Sequence, residues 1–258
     1  MVSAFTGMNL RIFPDSAILS AHAAQHIIDT VRQKPNAVLC LASGDTPAGT
    51  YRLLAERVHS GELDLSQCHF IGLDEWVGFG PDDVGSCAYF LYRDLFGPAQ
   101  IRADQITYFD AKSADLQAEC QRVDAVISRF GGLDLLLVGV GVNGHIALNE
   151  PGTSFLLRSH VVELAESTKA VGQKYFTRQT PLHQGITLGL QHLTEAREVI
   201  LMASGSRKAP IMYEALHGPV TEQCPASIFQ TQPGAHVWLD AEAAGNSQIE
   251  SRLSQSLL

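Results

Sequence analysis

The strongest constraint on the fold is a recurring order of three features: a short apolar run, a turn of small residues and a helical pattern. The four clearest apolar runs span residues 37–42, 69–73, 133–138 and 198–203. Weaker runs at residues 106–109, 186–188 and 237–239 add three further strand candidates. Continuous apolar runs of this length are typical of strands buried on both faces of a sheet. The pattern therefore predicts a mainly parallel sheet covered by helices.

Helical patterns separate these runs. Apolar side chains recur at helical spacing in residues 51–58 and 116–130. Thr46 is predicted to cap the first of these helices, with Pro47 at its first position. Because crossovers between parallel strands are right-handed, the predicted fold is a doubly wound, Rossmann-like α/β sheet with helices on both faces. No linker or repeat divides the chain, so residues 1–258 are predicted to form a single domain.

Charge and composition narrow the class of protein. Asp and Glu number 27 against 18 Lys and Arg, which gives a net charge of −9. This balance argues against nucleic acid or an anionic membrane as a partner. No apolar stretch is long enough to span a membrane, and no secretory signal is evident. The five cysteines are scattered and form no CxxC pair. They argue against a disulfide framework or a zinc site, so a cytoplasmic location is predicted.

Four polar segments directly follow predicted strands. They comprise residues 43–46, 74–75, 139–150 and 205–208. Ligands of open parallel sheets bind outside the carboxyl ends of the strands. We therefore expect these four segments, although far apart in sequence, to converge on one crevice.

The first and last of these segments are candidates for an anion site. Ser43, Gly44, Asp45 and Thr46 offer hydroxyls and free amides at a helix N-terminus, which suits a phosphate. An ordinary helix cap explains the same residues. Asp45 is unfavourable beside a phosphate unless its carboxylate points away. In residues 205–208, Lys208 could supply a positive charge for the phosphate, and a solvated surface turn is the alternative.

The second segment carries an acidic pair, Asp74 and Glu75, at the end of an apolar strand. A carboxylate in such a place can have a raised pKa and act as a general base. A structural acid that caps the next turn is the alternative. The segment alone does not separate the two interpretations.

The third segment is the most informative. Its glycines fit G-x-G-x-x-G, and Gly141 is one of those that let a ligand approach the backbone closely. The pattern continues with His145 and Glu150 and not with an uninterrupted helix, which argues against a dinucleotide site. A histidine with a nearby carboxylate suits an acid–base pair, although a structural histidine is the alternative. The other nine histidines show no two-His-plus-acid spacing, so no catalytic metal is predicted.

Taken in order, four motifs resemble the glucosamine-6-phosphate deaminase/isomerase family, which is related to the 6-phosphogluconolactonases. The motifs are LASGDTP at 41–47, LDEWVG at 73–78, VGVGVNGHIALNEPG at 138–152 and GSRKA at 205–209. The resemblance extends over about residues 10–240. The lactonase branch is less similar, because it lacks the Asn-Glu-Pro sequence after the Gly-His step and usually reads Asp-Glu-Arg at the acidic pair.

The resemblance implies ring opening, aldose–ketose isomerisation and deamination of an amino-sugar 6-phosphate, with no metal or organic cofactor. It implies that Asp74 moves a proton between C2 and C1 of the sugar. His145 would exchange a proton with the ring oxygen, and Glu150 would orient His145. The turn at residues 43–46 and Lys208 would hold the phosphate of a small-molecule substrate.

The chain departs from the family pattern at several positions. Asn143 stands where many members carry an acid, which implies a weaker charge network around His145. Lys174 is the nearest match to a phosphate-binding arginine, and Asp45 replaces a small residue. The basic residues of an allosteric N-acetylated-sugar site are not evident, so no such activation is predicted.

Several alternatives stay open at this point. The Asp-Glu-Trp triplet and residues 185–190 also look like the galactosamine-6-phosphate branch of the family. A sugar-phosphate lactonase would keep the phosphate site and His145 but hydrolyse an ester. A non-catalytic sugar-phosphate sensor is a third reading, although a sensor has no need of a proton shuttle. The family contains monomers and higher assemblies, so the resemblance allows a homo-oligomer.

Overall fold

The computed structural model of the chain describes residues 8–245. The strands are β1 (Asn9–Phe13), β2 (Val38–Leu41), β3 (His69–Gly72), β4 (Asp74–Trp76), β5 (Ile106–Thr107), β6 (Leu135–Val138), β7 (His160–Glu163), β8 (Gln184–Thr187), β9 (Val199–Ala203) and β10 (His236–Asp240). The α-helices are α1 (Ser16–Gln33), α2 (Asp45–His59), α3 (Cys87–Leu91), α4 (Leu116–Arg129), α5 (Glu166–Gly172), α6 (Leu190–Glu195) and α7 (Ala209–His217). Short 3₁₀ turns at Ala103–Gln105, Gln173–Tyr175, Ser206–Lys208 and Pro225–Thr231 and a π-turn at Tyr92–Phe96 complete the described part.

Seven strands form one parallel sheet in the order β1-β10-β9-β6-β2-β3-β5. The chain runs from β2 outward to β3 and β5, and then returns to β6 on the other side of β2. The direction of winding therefore reverses between β2 and β6. In open α/β sheets such a switch point is where ligands bind. The doubly wound parallel fold predicted from the sequence is confirmed.

Both faces of this sheet are covered. In β2, Val38 and Cys40 pack into the core that contains α4, α6 and α7. Leu39 and Leu41 point the other way, into the core that contains α1 and α2. All four residues are buried, so neither face of the strand has a place for a polar side chain. This burial explains why the run reads as continuously apolar rather than alternating.

A second, antiparallel sheet of three strands has the order β4-β8-β7. The strand predicted at residues 186–188 belongs here as β8, two residues earlier than predicted. The sequence analysis missed β1, β4 and β7. β4 has only three residues, and β1 and β7 are only partly buried. None of them therefore carries a continuous apolar run.

The start of α2 corrects the predicted cap. The helix begins at Asp45, its N-cap is Gly44 with a φ of 110°, and no side chain caps it. Thr46 therefore lies inside the first turn and does not cap the helix. Pro47 is tolerated there because the first amides of a helix have no partner within the helix. Gly44 can take a positive φ without the strain that a side chain would bring.

All five cysteines are free and buried. Within residues 8–245, no helix combines the length and the apolar character that crossing a membrane requires. The single domain over residues 1–258 and the cytoplasmic location stay predictions.

Candidate active site

A cavity of about 470 Å³ opens at the carboxyl ends of β2, β6 and β9. All four polar segments reach it, so the structure brings them together as expected. Nine of the predicted site residues line the cavity: Ser43, Gly44, Asp45, Thr46, Asp74, Gly141, His145, Lys174 and Lys208. Asn143 and Glu150 do not line it, and instead lie behind His145.

Asp74 is the first residue of β4 and pairs with Thr187 of β8. The antiparallel sheet thus holds its backbone while its side chain contributes to the cavity wall. Burial raises the pKa of Asp74 to about 6, although a hydrogen bond with the Cys87 thiol and the nearby His145 act in the opposite direction. A carboxylate with such a pKa can accept a proton near neutral pH and return it.

Glu75, the neighbour of Asp74, has a structural role. It is only 3% exposed, and it accepts hydrogen bonds from the backbone N–H groups of Trp76, Cys87 and Ala88, each at 2.9 Å. Burial raises its pKa to about 7, partly offset by these bonds. The carboxylate ties the start of α3 to β4 and so fixes the thiol beside Asp74. The acidic pair therefore divides into a cavity carboxylate and an anchoring one.

His145 is linked to Glu150 directly and through Thr168. Nδ1 of His145 lies 3.6 Å from Oε2 of Glu150 and 3.2 Å from the Thr168 hydroxyl. Burial alone would raise the pKa of Glu150, but interactions with His145, Thr168 and Asn143 outweigh it and bring the pKa to about 2. A carboxylate that stays charged keeps a proton on Nδ1, which leaves the Nε2 lone pair available to accept one.

Asn143 connects the two members of this pair. Its amide nitrogen donates to Oε2 of Glu150 at 2.9 Å, and its Oδ1 accepts from the backbone N–H of His145 at 3.2 Å. Gly141 gives the imidazole its position, because a Cβ at residue 141 would collide with the His145 ring. Asn143 therefore acts through its neighbours and does not touch the cavity, while Gly141 must be free of a side chain.

The candidate anion-binding groups all border the same cavity. The first turn of α2 presents the backbone amides of Asp45 and Thr46, which have no partner within the helix. Nζ of Lys208 donates to the carbonyl of Val140 at 2.6 Å. Burial, with help from Lys174, lowers the pKa of Lys208. A cation beside unpartnered helix amides is a general binding site for phosphate.

Lys174 and Asp45 form an ion pair across the cavity rim, with 2.7 Å between Nζ and Oδ2. The Asp45 side chain is 75% exposed and its charge is paired with Lys174, so the conflict with a bound anion is reduced. Burial lowers the pKa of Lys174, but Asp45 and Tyr175 outweigh this effect and raise it. Lys174 is therefore occupied by a carboxylate that an incoming anion would have to displace.

Sequence reasoning assigned no individual role to several residues that reach this site. Cys87 touches Asp74, Thr168 touches His145, and Tyr175 and Arg207 line the cavity. Arg207 makes no ion pair with any residue between 8 and 245. Cys87, Thr168 and Tyr175 lie in α3, α5 and the following 3₁₀ turn, outside the four motifs. Arg207 lies inside the fourth motif, where its cationic side chain next to Lys208 was a usable signal.

Fold and site together define a doubly wound α/β protein whose cavity combines acid–base side chains with an anion-binding turn. The chain belongs to the glucosamine-6-phosphate isomerases/6-phosphogluconolactonase family, whose model matches residues 15–238. The family resemblance inferred from the four motifs is thereby confirmed.

Individual relatives agree with this membership. A protein of Bacillus velezensis named glucosamine-6-phosphate deaminase is 40% identical over 229 residues, which cover 88% of this chain and 95% of that protein. The solved structure of a monomeric glucosamine-6-phosphate deaminase is 34% identical, with a TM-score of 0.89, and the match covers 93% of this chain and 100% of that one. A 6-phosphogluconolactonase from Trypanosoma brucei, 21% identical with a TM-score of 0.71 over 92% and 98% of the two chains, shows the shared fold.

Proposed function

We propose that this protein converts a hexosamine 6-phosphate into a ketohexose 6-phosphate and ammonium, and that its substrate is glucosamine 6-phosphate. The observation that carries the proposal is the convergence of Asp74, His145 and Lys208 on one cavity at the switch point of the sheet. Family membership and the names of the relatives support the same reaction.

The phosphate is the anchor of the substrate. The residues Asp45, Thr46 and Lys208, which offer free helix amides and an ammonium group, all line the cavity. Arg207 also lines the cavity and supplies a second cation, since Lys174 is already paired with Asp45. Fixing the phosphate positions the opposite end of the sugar against the acid–base groups, which lowers the entropic cost of the reaction.

Ring opening is the task of His145. Its Nε2 takes the proton of the C1 hydroxyl and delivers a proton to the ring oxygen, so the C1–O5 bond breaks and an aldehyde forms. Glu150 stabilises the imidazolium that exists between the two transfers, because its carboxylate is ionised and lies 3.6 Å from Nδ1. Asn143 fixes the position of Glu150 relative to His145, because its side chain bonds to both.

Isomerisation and deamination follow at Asp74. The carboxylate removes the proton from C2 of the open-chain amino aldehyde and returns it to C1. The substrate ammonium group gives a proton to the C1 oxygen, so the C1 carbonyl becomes an alcohol and C2 becomes an iminium carbon. Water then adds to C2, ammonia leaves as ammonium, and the ketose 6-phosphate remains. These steps are proton transfers and a hydrolysis, so the proposal requires no cofactor.

The test is ammonium release from glucosamine 6-phosphate and galactosamine 6-phosphate, measured side by side and without added metal. The proposal expects release from glucosamine 6-phosphate with the larger kcat/KM. A larger kcat/KM for galactosamine 6-phosphate would assign the other branch. Consumption of 6-phosphogluconolactone without ammonium release would indicate a lactonase. Ligand-dependent melting shifts with no turnover of any of the three would indicate a sensor.

Two further features of this protein stay predictions. A location in the cytoplasm is supported by the five free, buried thiols, which suit a reducing compartment. Assembly into a homo-oligomer is open, and one related deaminase is described as monomeric. Light scattering coupled to size-exclusion chromatography would measure the mass in solution directly, with 27.9 kDa expected for a monomer.

A further inference from the structure

A second group, of two histidines and a carboxylate, lies at the amino-terminal ends of strands of the parallel sheet, opposite the end that borders the cavity. It consists of His26 in α1, Glu198 immediately before β9 and His236 at the start of β10; we call it the remote histidine cluster. β9 has five residues and ends beside the cavity. At about 3.3 Å per residue, the strand places the cluster about 16 Å from the end of β9 that borders the cavity. The cluster therefore cannot share a substrate with the acid–base groups.

The three side chains point at one another. Nε2 of His26 lies 2.5 Å from Oε1 of Glu198, and Nε2 of His236 lies 3.1 Å from the same oxygen. One ligand atom from each residue lies within 4.8 Å of the others. Tetrahedral ligands bound to one zinc ion at about 2.0–2.2 Å are about 3.3–3.6 Å apart. The three ligand atoms therefore have to move by about 1 Å relative to one another to reach that spacing.

Access and support are both present. The side chains of His26, Glu198 and His236 are 26%, 25% and 18% exposed, which leaves a path for an ion and room for a bound water. Behind them, the Asn9 amide nitrogen lies 3.2 Å from Nδ1 of His236, and the Thr30 hydroxyl donates to Oε2 of Glu198 at 3.4 Å. Such outer partners orient the ligands of metal sites.

The hydrogen bonds around His236 also leave its Nε2 available to a cation. In the metal-free state Asn9 donates to Nδ1 of His236, so Nε2 carries the proton. A cation displaces that proton, and a flipped Asn9 amide can then accept from Nδ1.

We propose that the remote histidine cluster binds a divalent transition-metal ion of the zinc type through the two Nε2 atoms and the Glu198 carboxylate. Two imidazoles and one carboxylate form a donor set that suits Zn²⁺ and Co²⁺, with water in the fourth position. The ligands come from a helix and from two strands. Bound metal thus ties α1 to β9 and β10 and stabilises the fold, without taking part in the reaction at the cavity.

The experiment titrates the full chain with ZnCl₂ and measures the melting temperature and the heat of binding. We expect one ion per chain and a rise in Tm of about 5 °C at a Zn²⁺ concentration of about 100 times Kd. His26→Gln and His236→Gln keep a polar amide but remove a ligand, so each is expected to raise Kd at least tenfold. His59→Gln, an exposed histidine outside the cluster, is the matched control and keeps the original Kd.

The unmodified protein provides a test that does not depend on the variants. Co²⁺ bound by two imidazoles and a carboxylate gives visible absorption bands of tetrahedral cobalt, and excess Zn²⁺ abolishes them. Absence of these bands together with no Zn²⁺-dependent change in Tm would show that the three residues form only a hydrogen-bonded cluster. Equal Zn²⁺ affinity in His26→Gln, His236→Gln and His59→Gln would also overturn the proposal, because the ion would then bind elsewhere.

Discussion

Two histidine–carboxylate groups lie at opposite ends of the strands of the same parallel sheet, and they differ in how far apart their residues are in sequence. His145 and Glu150 are five residues apart in one loop after β6, and they border the cavity. His26, Glu198 and His236 come from three elements separated by up to 210 positions along the chain. Both carboxylates have a pKa of about 2, so chemistry alone does not distinguish them. Their surroundings do.

The difference lies in what faces each group. The imidazole of His145 has an open cavity on one side and a carboxylate on the other, which suits reversible proton transfer. In the remote histidine cluster, two imidazoles face a single carboxylate, and none of its three residues lines the cavity. The His145 pair presents one nitrogen lone pair to the cavity. The remote histidine cluster instead directs the lone pairs of three side chains toward a common centre. The predictions below probe this contrast.

Asp74→Asn is expected to have the largest effect. Removing the base that moves the C2 proton should lower kcat by a factor of about 10²–10⁴, because general base catalysis contributes roughly this much. Binding of an unreactive hexose 6-phosphate should stay within a few-fold, measured by calorimetry. Asp82→Asn, an exposed acid nearby in sequence, is the control. Near-normal turnover of Asp74→Asn would assign the base elsewhere.

Glu150→Gln is expected to have the second largest effect, and it changes the histidine–carboxylate pair that borders the cavity. The variant leaves the imidazolium of His145 without its ionised partner, so kcat should fall by a factor of about 10–100 while KM changes little. Steady-state kinetics on the proposed substrate measure both parameters. An unchanged kcat would mean that the 3.6 Å pair is purely structural, like Glu75.

Lys208→Ala is expected to raise KM by a factor of about ten with a smaller change in kcat, because it removes an anchor used in both ground and transition state. Lys169→Ala is a matched control, since Lys169 pairs with Glu166 in α5 and does not line the cavity. Equal KM values for the two variants would remove Lys208 from the phosphate site. Arg207→Ala should give a smaller increase in KM than Lys208→Ala.

The pH dependence follows from the raised pKa of Asp74. The base must be ionised in the free enzyme, so kcat/KM should fall about tenfold per pH unit as the pH drops below about 6. The contribution of Asp74 to the free energy of unfolding changes with pH in the opposite direction. The folded state holds a proton that the unfolded state releases near pH 4, so Asp74 makes unfolding easier as the pH rises from about 4 to 6. Asp74→Asn should remove that pH-dependent contribution.

Glu198→Gln is expected to have the smallest effect, and it changes the remote histidine cluster. Its folded pKa of about 2 lies below the usual 4.5, so its contribution to stability is present above pH 4.5 and lost as the pH falls toward 2. The variant should lower the free energy of unfolding by about 1–3 kcal/mol at pH 7 in metal-free buffer. Urea denaturation at pH 7 and pH 3 measures this, with Glu56→Gln as an exposed control. A loss of equal size at both pH values would contradict the interpretation.

The sequence was informative where the determinants are local. The runs at residues 37–42 and 133–138 had to be continuously apolar because both faces of β2 and β6 are buried, and this pattern revealed the doubly wound sheet. The glycines and His145 lie within seven residues, so their joint role was visible as a motif. The roles of Asp74, His145, Glu150 and Lys208 nevertheless stay predictions until they are tested.

The sequence was uninformative where contacts are long-range. The pairing of β4 with β8 joins residues more than 100 positions apart, and the strands are too short to show a period. The residue type of Thr46 favours a helix cap, but the helix has its N-cap at Gly44, two positions earlier. The remote histidine cluster has no sequence spacing that a motif could capture, since its members are brought together by the register of β9 and β10 and by the packing of α1 against β10.

The absence of a side chain at Gly141, against the His145 ring, limits which natural or engineered variants can be active. Because even one carbon atom at position 141 would enter the space of the imidazole, every substitution there must displace the ring. The adjacent Val142 is 42% exposed and carries no such restriction. In a saturation library selected for growth on an amino sugar, codon 141 should therefore return glycine alone, while codon 142, whose side chain borders the cavity without such a clash, should accept several residues.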